Sequence, residues 1–576
     1  MDPVSLTPVV FSLVLPYLQK IAEKAVESLP EAVGKVWDVV KEKMTTKPET
    51  ASLPADLEKT PDSAVVQGAF QYQLEKLLAN DDAFAKQLAE LVEVAKNQQG
   101  GSTSYSANVK GGGAIPEERL RGILAAKLSQ ENLDQFIRAV RSRGGLFEER
   151  AELFQFAHLT FQEFLAARLL AKDRDKSLAI LEERIPDAWW REVLLLVYGF
   201  SKQDYAPFST EYLKWLSSRD ADPARHLAGL ELAGAALLEI EKPDAQANAM
   251  QANLLLKAWR DTGDNLTAPA VLRARAGDTL AQLGDPRFNA DLWHLPTDEN
   301  FGFVRIPAGM FLMGSDDKDK QAEDREKPQH EVELPEYWMA KYPVTVAQYR
   351  TFVENSSYKT NDERALQGNL NHPVVNVTWY DALEYSKWLD SELRKVAQEK
   401  VGAGEKHSFW QELAEGKLGV TLPSEAEWEK AARWNPSPNG RGQGEGVSYI
   451  YPWGDEFDPE KANTDPTGIR TTSSVGCFPA WGHGLYDMSG NVWEWTRSIL
   501  GRWEKSGHKI IFGYPYNGSD GREDLVASKD FTRGLRGGSF YDQSGNARCA
   551  YRGGGSPDYW DWDFGFRAVV SPVLPS

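Results

Sequence analysis

The C-terminal segment of the chain contains two short runs whose residue types suit molecular contact. Residues 541–546 and 553–564 consist almost entirely of Tyr, Trp, Asp, Ser and Gly. Tyr and Trp offer a large, rigid contact area at low entropic cost, and Ser, Gly and Asp offer adaptable polar contacts. We therefore interpret these runs as a binding surface. The alternative is an aromatic-rich loop that packs on its own domain.

The candidate contact residues lie in or next to these two runs. They are Phe540, Tyr541, Asp542, Ser544, Gly553, Ser556, Tyr559, Trp560, Asp561, Trp562, Asp563 and Phe564. We expect eight of them to form one solvent-exposed patch, namely Tyr541, Asp542, Ser544, Tyr559, Trp560, Asp561, Trp562 and Asp563. Aromatic side chains usually dominate affinity in such a patch, and carboxylates favour a basic or hydroxyl-rich partner. A protein or a glycan is therefore the expected ligand.

Composition narrows the class of protein. The chain has 576 residues, 41% hydrophobic and 26% charged, which indicates a soluble protein of roughly three to four domains. Its net charge of -19 argues against nucleic-acid binding, which needs clustered Lys and Arg. The two cysteines, Cys477 and Cys549, form no CxxC motif, so a reducing cytoplasm is the expected location.

The first 115 residues have helical patterns and two linkers. Apolar residues recur at helical spacing over 4–43 and 67–97, and we assign 1–97 to a helical effector or adaptor domain. Residues 44–65 indicate a linker, and the Gly/Ser-rich residues 98–115 a flexible one. Pro8 and Pro16 interrupt the apolar N-terminal stretch, so a packed bundle that self-associates is favoured over membrane contact.

Residues 116–200 are expected to be helical and carry the sequence FQFAHLTFQEFLAA at 154–167. This sequence resembles the signature that follows the nucleotide-binding core of NACHT-type signalling NTPases. A plain core helix is the alternative. No GxxxxGK[ST] phosphate loop occurs in the chain, and the glycines at 111–113 lack the Lys-Ser/Thr pair. We therefore expect no ATP binding.

Residues 201–297 are expected to be a helical spacer, with 269–277 and 280–287 resembling one HEAT-like helix pair. Near residue 298 Gly, Pro, Trp and Tyr become frequent and long helical patterns become rare, which predicts an α+β domain over 298–576. The fold class is thus multidomain, with an all-α N-terminal half and an α+β C-terminal domain. Within that domain, Ser424 with Glu427 and Thr378 with Asp381 predict two helix N-termini.

Collinear motifs along this last domain indicate a family. They are FVRIPAG at 303–309, FLMGS at 311–315, PVTVAQY at 343–349, HPVVNVTW at 372–379, LPSEAEWE at 422–429, YPWG at 451–454, GLYDMSGNVWEW at 484–495 and GFR at 565–567. Together they resemble the formylglycine-generating, sulfatase-modifying enzyme family. That resemblance implies an elaborated C-type-lectin fold for 298–576.

The same resemblance bears on catalysis and metals. The family's oxidase binds copper through two cysteines, the first of which falls near Asp542 here, and neither is present. A related branch uses an iron site of histidines, for which the N-terminal half has no matching spacing. We therefore expect no copper and no enzymatic activity. The family's calcium loop matches Asp487, Gly490, Val492 and Glu494, so calcium is the expected metal, unless the two carboxylates only hydrogen-bond the loop.

A non-catalytic branch of the family comprises the variable proteins of diversity-generating retroelements, in which adenines of a template are miscopied. Mutated AAC codons yield Tyr, Asp, Ser, Gly or Phe, which are most of the residues in the two runs, whereas the words RGGSF, ARCAYR, SPD and FGFR between 536 and 567 keep the family pattern. The chain therefore resembles a diversified ligand-binding protein at the sensor end of a signalling or defence protein. The alternatives are a metal-dependent oxidase and an interaction module of fixed specificity.

Overall fold

The computed structural model describes residues 31–46, 50, 52–59, 115–116, 147–150, 153–156, 159–172, 190–204, 206–218, 222–240, 245–433, 448–504 and 507–573, with single positions between 70 and 88 and between 178 and 187. These residues fall into two compact units, Met1–Phe161 and Gln162–Ser576. The prediction of a multidomain protein is therefore confirmed. The expected linker at 98–115 and the apolar N-terminal stretch lie outside the described residues, except for Ile115.

The first unit contains helices and one small sheet. Its elements are α1 (Glu31–Thr45), α2 (Leu53–Lys59), β1 (Ile115–Pro116), β2 (Phe147–Arg150) and β3 (Leu153–Phe156). Helix α1 begins the confirmed helical part of 1–97, with Trp37 buried and its Nε1 donating to Glu58 Oε1 over 2.9 Å. Helix α2 corrects the prediction that 44–65 is a linker throughout.

A sheet of order β1-β3-β2 corrects the expectation that residues 116–200 are helical throughout. Residues 153–156 alternate Leu, Phe, Gln and Phe, and aromatic residues on a pleated surface favour a strand. The helix expected over 153–167 begins only at Leu159, as α3 (Leu159–Leu170).

Among the described residues, five further helices follow in the second unit. They are α4 (Arg191–Asp204), α5 (Ala206–Leu216), α6 (Pro223–Ile240), α7 (Ala245–Asp264) and α8 (Ala270–Leu283). Their core is rich in Leu and Ala, and small residues allow close approach: a Cβ on Gly229 of α6 would lie 2.3 Å from the Leu216 carbonyl oxygen. Residues 269–277 and 280–287 do not form the two expected helices, because Ala270–Leu283 is one helix, and it packs against α6 and α7. The role of 201–297 as a spacer stays a prediction.

The C-terminal part of the second unit is an α+β domain. Its strands are β4 (Phe288–Asn289), β5 (Leu295–Pro296), β6 (Phe303–Ile306), β7 (Gly309–Met313), β8 (His330–Leu334), β9 (Tyr337–Ala340), β10 (Leu418–Thr421), β11 (Trp493–Glu504), β12 (Gly507–Ile510), β13 (Phe531–Arg536), β14 (Gly553–Gly555), β15 (Phe564–Phe566) and β16 (Val569–Pro572). Its helices are α9 (Val346–Asn355), α10 (Trp379–Gly402), α11 (Ser408–Ala414) and α12 (Glu425–Arg433).

Two sheets carry the domain. One has the order β10-β16-β9-β6, and the other has the order β12-β11-β13-β14, with β15 parallel to β11. Aromatic residues of both sheets and of α10 form one core, in which Trp379, Trp495 and Phe566 are fully buried. The sheet that contains β11, β13, β14 and β15 therefore brings both ends of the 536–567 segment onto one rigid base.

Local sequence signals specify where helices α10 and α12 of this domain begin. Ser424 Oγ accepts from the Glu427 N–H over 3.0 Å, and the Glu427 carboxylate accepts from the Ser424 N–H over 2.7 Å. Thr378 and Asp381 make the same reciprocal bonds at the start of α10. Both predicted capping boxes are confirmed.

Helix α8 and the turn after it are joined to the C-terminal domain by the buried arginines Arg273 and Arg287, and Asp278 of α8 also bonds His372 over 2.7 Å. Arg273 Nη1 donates to the Cys477 carbonyl over 2.8 Å, and its Nη2 pairs with Glu460 over 3.0 Å. Arg287 donates to the Val475 carbonyl and pairs with Asp285. The 458–478 segment of the domain is thereby held to the helical part.

No described helix is both long and apolar enough to cross a membrane.

Candidate ligand-binding surface

Three large aromatic side chains of the C-terminal segment are exposed. The exposed fraction is 65% for Tyr541, 51% for Tyr559 and 45% for Trp562. The Trp562 ring lies 5.0 Å from the Tyr541 ring and 5.1 Å from the Phe540 ring, both edge-on. Phe540 is only 2% exposed, so it anchors Trp562 from below. Exposed aromatics supported in this way keep a fixed orientation without a ligand.

Tyr559 is supported in the same manner from a neighbouring strand. Its ring lies 5.9 Å from the Phe564 ring, which in turn lies 5.4 Å from buried Trp495 of β11. Tyr559 Oη donates to Asp561 Oδ2 over 3.0 Å, and Asp561 Oδ1 accepts from the Trp562 N–H over 2.8 Å. Asp561 therefore shapes the loop that presents both aromatics.

Trp560 is half-buried and contacts a cation from outside the segment. The Arg364 guanidinium lies 4.5 Å from the centre of the Trp560 ring, and Arg364 also pairs with Asp362 over 2.7 Å. Sequence reasoning missed Arg364, because no local signal links residue 364 to residue 560. We call Tyr541, Tyr559, Trp560 and Trp562 the aromatic surface.

Two acidic side chains meet at one hydroxyl below the aromatic surface. Ser539 Oγ lies 2.7 Å from Asp542 Oδ2 and 2.8 Å from Asp563 Oδ2. A hydroxyl donates one hydrogen only, so it cannot satisfy both carboxylates when both are ionised. Burial, together with the charges of Asp542 and Asp561, raises the pKa of Asp563 to about 6. A protonated Asp563 completes a chain of hydrogen bonds from Asp563 through Ser539 to Asp542.

The remaining predicted contact residues have backbone roles. The Ser544 carbonyl accepts from Tyr451 Oη over 3.2 Å, and the Ser556 carbonyl accepts from the Tyr559 N–H over 3.0 Å. Gly553 lies in β14, where a Cβ would come within 3.1 Å of the Trp493 ring. Gly553 can therefore contribute only backbone atoms to a contact with a ligand.

The structure thus corrects part of the predicted patch. Phe540 is buried and Asp563 is only 8% exposed, so neither side chain offers the contact area expected of it. Asp542 is half-buried and fully hydrogen-bonded, since its second oxygen accepts from Asn546 Nδ2 over 2.6 Å. Tyr541 and Trp562 are brought into ring contact, Tyr559 and Trp560 lie in the same loop as Trp562, and Asp542 and Asp563 lie beneath this loop and Tyr541.

Four arginines of the same segment form its buried frame. Arg548 pairs with Glu326, Arg552 with Glu425 over 2.6 Å, Arg567 with Glu494 over 2.8 Å and Arg536 with Glu429, and each arginine side chain is at most 1% exposed. A buried charge is tolerated only when it is paired and hydrogen-bonded. The fixed-looking words RGGSF, ARCAYR and FGFR therefore hold the frame, and the runs between them carry the exposed residues.

One of the residues expected to bind calcium, Glu494, forms a buried ion pair with Arg567. Both Glu494 oxygens are occupied by the Arg567 guanidinium, and Oε2 also accepts from Trp428 Nε1 over 2.7 Å. Gly490 accepts from the Val492 N–H, and Asp487 Oδ2 from the Gly476 N–H.

Glu494 is thus neutralised by Arg567, whereas Asp487 Oδ1 is buried without a hydrogen-bond partner among the described residues, so calcium binding by this loop stays a prediction. Groups of three or more His, Cys, Asp or Glu side chains able to hold a metal ion are absent from the described residues.

Both thiols are inaccessible. Cys477 and Cys549 are buried, and burial raises the pKa of each thiol to about 12. A protonated, buried thiol is a poor nucleophile and a poor metal ligand. Asp542, at the position of the family's first cysteine, is held by Ser539 and Asn546.

Two family models match the chain. Residues 290–572 match the sulfatase-modifying factor enzyme 1-like domain, and residues 118–170 match the winged helix-turn-helix domain C-terminal to NACHT. The latter match agrees with the strands found at 147–156.

Individual proteins are similar over the same C-terminal region. The inactive C-alpha-formylglycine-generating enzyme 2 of Mus musculus is 30% identical over 311 residues, 47% of this chain and 86% of that protein. The formylglycine-generating enzyme of Thermomonospora curvata is 27% identical over 349 residues, 50% of this chain and 100% of that protein. A solved structure, variable protein 1 of Treponema denticola, aligns with 47% of this chain and 95% of that chain at 22% identity and a TM-score of 0.32.

Proposed function

Because the chain belongs to the sulfatase-modifying factor enzyme 1-like family through residues 290–572, we propose that it is a non-catalytic member that binds a ligand through its aromatic surface. The family includes proteins named as active and as inactive enzymes. Function therefore has to be argued from the site and not from the fold.

One observation carries the proposal. Within residues 536–567, the arginines of the family pattern are buried and ion-paired, whereas Tyr541, Tyr559 and Trp562 are about half exposed or more. Exposed side chains of this kind contribute little to folding, and large aromatics at the centre of a surface contribute most to binding. The segment thus separates a part that must fold from a part that is free to contact a ligand.

The same separation supports diversification by a retroelement. Tyr541 and Tyr559 correspond to residues that miscopied AAC codons yield, and no described residue packs over their exposed faces. Exchanging such side chains leaves the Arg–Glu frame in place. We infer that the chain is a variable protein whose ligand specificity is set at these positions.

Catalysis of the oxidase kind has no support in the site. The two thiols are buried with raised pKa values, and Asp542 makes hydrogen bonds at both of its oxygens. The winged-helix match at 118–170 supports a place at the sensor end of a cytoplasmic NACHT-associated signalling or defence protein. Helix α8 with the turn after it, held by Arg273 and Arg287, would connect ligand binding to the helical part.

Sequencing the codons for residues 536–567 in DNA from a population of source cells tests the diversification. We expect substitutions at Tyr541, Tyr559, Trp560 and Trp562, opposite adenines of a nearby template copy. We expect none at the four frame arginines. A uniform segment without a template would refute diversification and leave a binding module of fixed specificity.

A binding experiment tests the surface itself. The full chain is screened against a glycan array and against random linear peptides displayed on phage, and hits are remeasured with Trp562→Ala. Loss of a central aromatic hot spot is expected to weaken binding at least about thirtyfold. Trp503→Ala is the matched control, since Trp503 is 58% exposed on the β11–β12 hairpin outside the aromatic surface. Equal effects of the two substitutions would refute the assignment.

A further inference from the structure

Strand β14 consists of three glycines because the sheet leaves no room for side chains there. A Cβ on Gly554 would lie 2.6 Å from Leu500 Cδ2, and one on Gly555 would lie 2.7 Å from the Trp495 ring. Real Cβ contacts are longer than this, so larger residues at these positions would displace the strand. The strand is nevertheless at the edge of its sheet, beside β13.

The direction of the backbone groups follows from two hydrogen bonds. The Trp493 N–H donates to the Asp563 carbonyl, so Trp493 faces β15, and its neighbour Glu494 faces β13. On β13, the Gly534 carbonyl accepts from Thr496 Oγ1 of β11 over 2.9 Å, so Gly534 faces β11.

Backbone groups of successive residues alternate across a strand. Arg533 and Leu535 must then face β14, where they pair with Gly555 and Gly553. The N–H and C=O of Gly554 consequently point away from the sheet.

This outer side of β14 is open. Gly554 is exposed, and within the described part of the chain no hydrogen bond reaches its N–H or C=O from that side. Proteins normally protect such edges with charged side chains, proline, bulges or covering elements. None of these devices lies within β14, and Pro557 only follows it.

The edge of the other sheet shows how this protein closes an edge. On β10, the Val420 N–H donates to Asp390 Oδ1 over 2.8 Å, and the Leu418 carbonyl accepts from Arg394 Nη2 over 2.7 Å. Asp390 and Arg394 lie on α10 and also pair with each other. Side chains thus occupy the outward backbone groups of β10, whereas those of β14 are left free beside the aromatic surface.

We propose that the open edge of β14 binds an extended polypeptide segment of the ligand by strand addition. This inference rests on the proposed function and narrows its ligand from protein or glycan to protein. An outward N–H and C=O on one residue match the alternating backbone groups of another strand, which form a closely spaced pair of hydrogen bonds. The loop that leaves β14 carries Tyr559 three residues beyond Ser556, so an added strand and the aromatic surface contact the same ligand.

The negative charge near β14 favours one kind of protein ligand over another. Asp558 and Asp561 lie in the loop after β14, with Lys529 Nζ 4.0 Å from Asp558, and the chain has a net charge of -19. A second copy of this chain would bring like charges together at the edge, which opposes association. A segment that carries Lys or Arg is complementary, and it is the partner that the edge accepts.

The test uses the full chain and linear peptides selected on it from a random phage library. Each selected peptide is synthesised with single backbone N-methyl groups, which remove one N–H donor at a time. Because Gly554 offers a single outward C=O, strand addition predicts a loss of about tenfold or more at the one position whose N–H bonds this carbonyl, and little change at the positions on either side. The Gly554 amide is also expected to exchange its hydrogen more slowly with the peptide bound.

The outcomes separate this inference from the proposed function. Uniform tolerance of N-methylation, with binding still lost in Trp562→Ala, would overturn strand addition and keep the aromatic surface. A loss at one N-methylated position without any effect of Trp562→Ala would keep the edge and overturn the aromatic surface. A screen in which only glycans bind, or in which no peptide is selected, would overturn strand addition.

Discussion

The substitution Asp563→Asn is expected to stabilise the protein at neutral pH although it removes a hydrogen-bonded carboxyl group. Asp563 lies 2.8 Å from Ser539 Oγ, whose single hydrogen is also directed to Asp542. At high pH two carboxylates therefore share one donor. An amide at position 563 donates a hydrogen to Ser539 Oγ at every pH, as the protonated acid does.

The magnitude follows from the pKa of Asp563, which burial and the charges of Asp542 and Asp561 raise to about 6 from an ordinary value of 3.8. The folded state then holds its proton while the unfolded chain has lost it, so stability falls as pH rises from about 4 to about 6 and stays lower above that. Two pKa units at about 1.4 kcal/mol each give a loss of about 3 kcal/mol. Asp563→Asn should abolish this loss.

Urea denaturation of the wild type and of Asp563→Asn between about pH 4 and pH 7 measures the effect. The two proteins should agree within about 0.5 kcal/mol at pH 4, and the variant should be more stable by about 3 kcal/mol at pH 7. Glutamates such as Glu425 and Glu429, whose pKa values arginine neighbours lower, change stability only at more acidic pH. Their titration therefore does not affect the stability difference measured between about pH 4 and pH 7.

Asp487 is the matched control, because burial raises its pKa to about 6 as well. It lies in the loop before β11 and shares no hydrogen-bond partner with Asp563. The effect of Asp563→Asn should therefore be the same in an Asp487→Asn background. A difference between wild type and Asp563→Asn that does not change with pH would refute the proton-sharing arrangement.

Three further predictions concern the frame and its attachments. Arg552→Ala leaves Glu425 buried without its partner and should cost about 3–5 kcal/mol in urea unfolding, whereas the exposed Arg364→Ala should change stability by less than about 0.5 kcal/mol; similar costs would contradict the assigned frame. Arg273→Ala combined with Asp278→Ala removes the bonds of Arg273 to Cys477 and Glu460 and that of Asp278 to His372, and calorimetry should then resolve separate transitions for the helical part and the C-terminal domain, with a single unchanged transition as the contrary result. Cys549 should react with a thiol reagent only after denaturant is added, because its buried thiol is protonated, and rapid labelling of the native protein would show otherwise.

Local signals explain what the sequence predicted well. The N-cap residues Thr378 and Ser424 each act on a group three residues away, so the pattern alone specifies the two helix starts. The motifs of the C-terminal domain are likewise contiguous stretches of sequence, so they can be recognised without the structure. By contrast, the apolar run that starts at Leu153 is compatible with a strand or a buried helix, and only pairing with β2 decides for the strand.

The site was predictable in type and less so in position. Aromatic composition identified the surface, but it could not show that Phe540 points inward while the next residue, Tyr541, points outward. The partners of the frame arginines, such as Glu326 for Arg548, lie 222 residues away in the chain. No short stretch of sequence contains both the arginine and the glutamate of such a pair, so the ion pairs of the frame could not be predicted from the sequence.

The position of β16 has a consequence for how the protein is made. This strand follows every other described strand in the chain, yet it lies between β10 and β9 in the middle of its sheet. On the ribosome, the sheet therefore stays divided until residues 569–572 have emerged, and Arg548, Arg552 and Arg567 are also among the last to arrive. A nascent chain that stops within the 536–567 segment would leave two unpaired strand edges and unneutralised buried glutamates, and such edges make a chain prone to aggregate. Only chains translated beyond the aromatic surface would complete the domain, so a product truncated within that segment would not present the surface on a folded base.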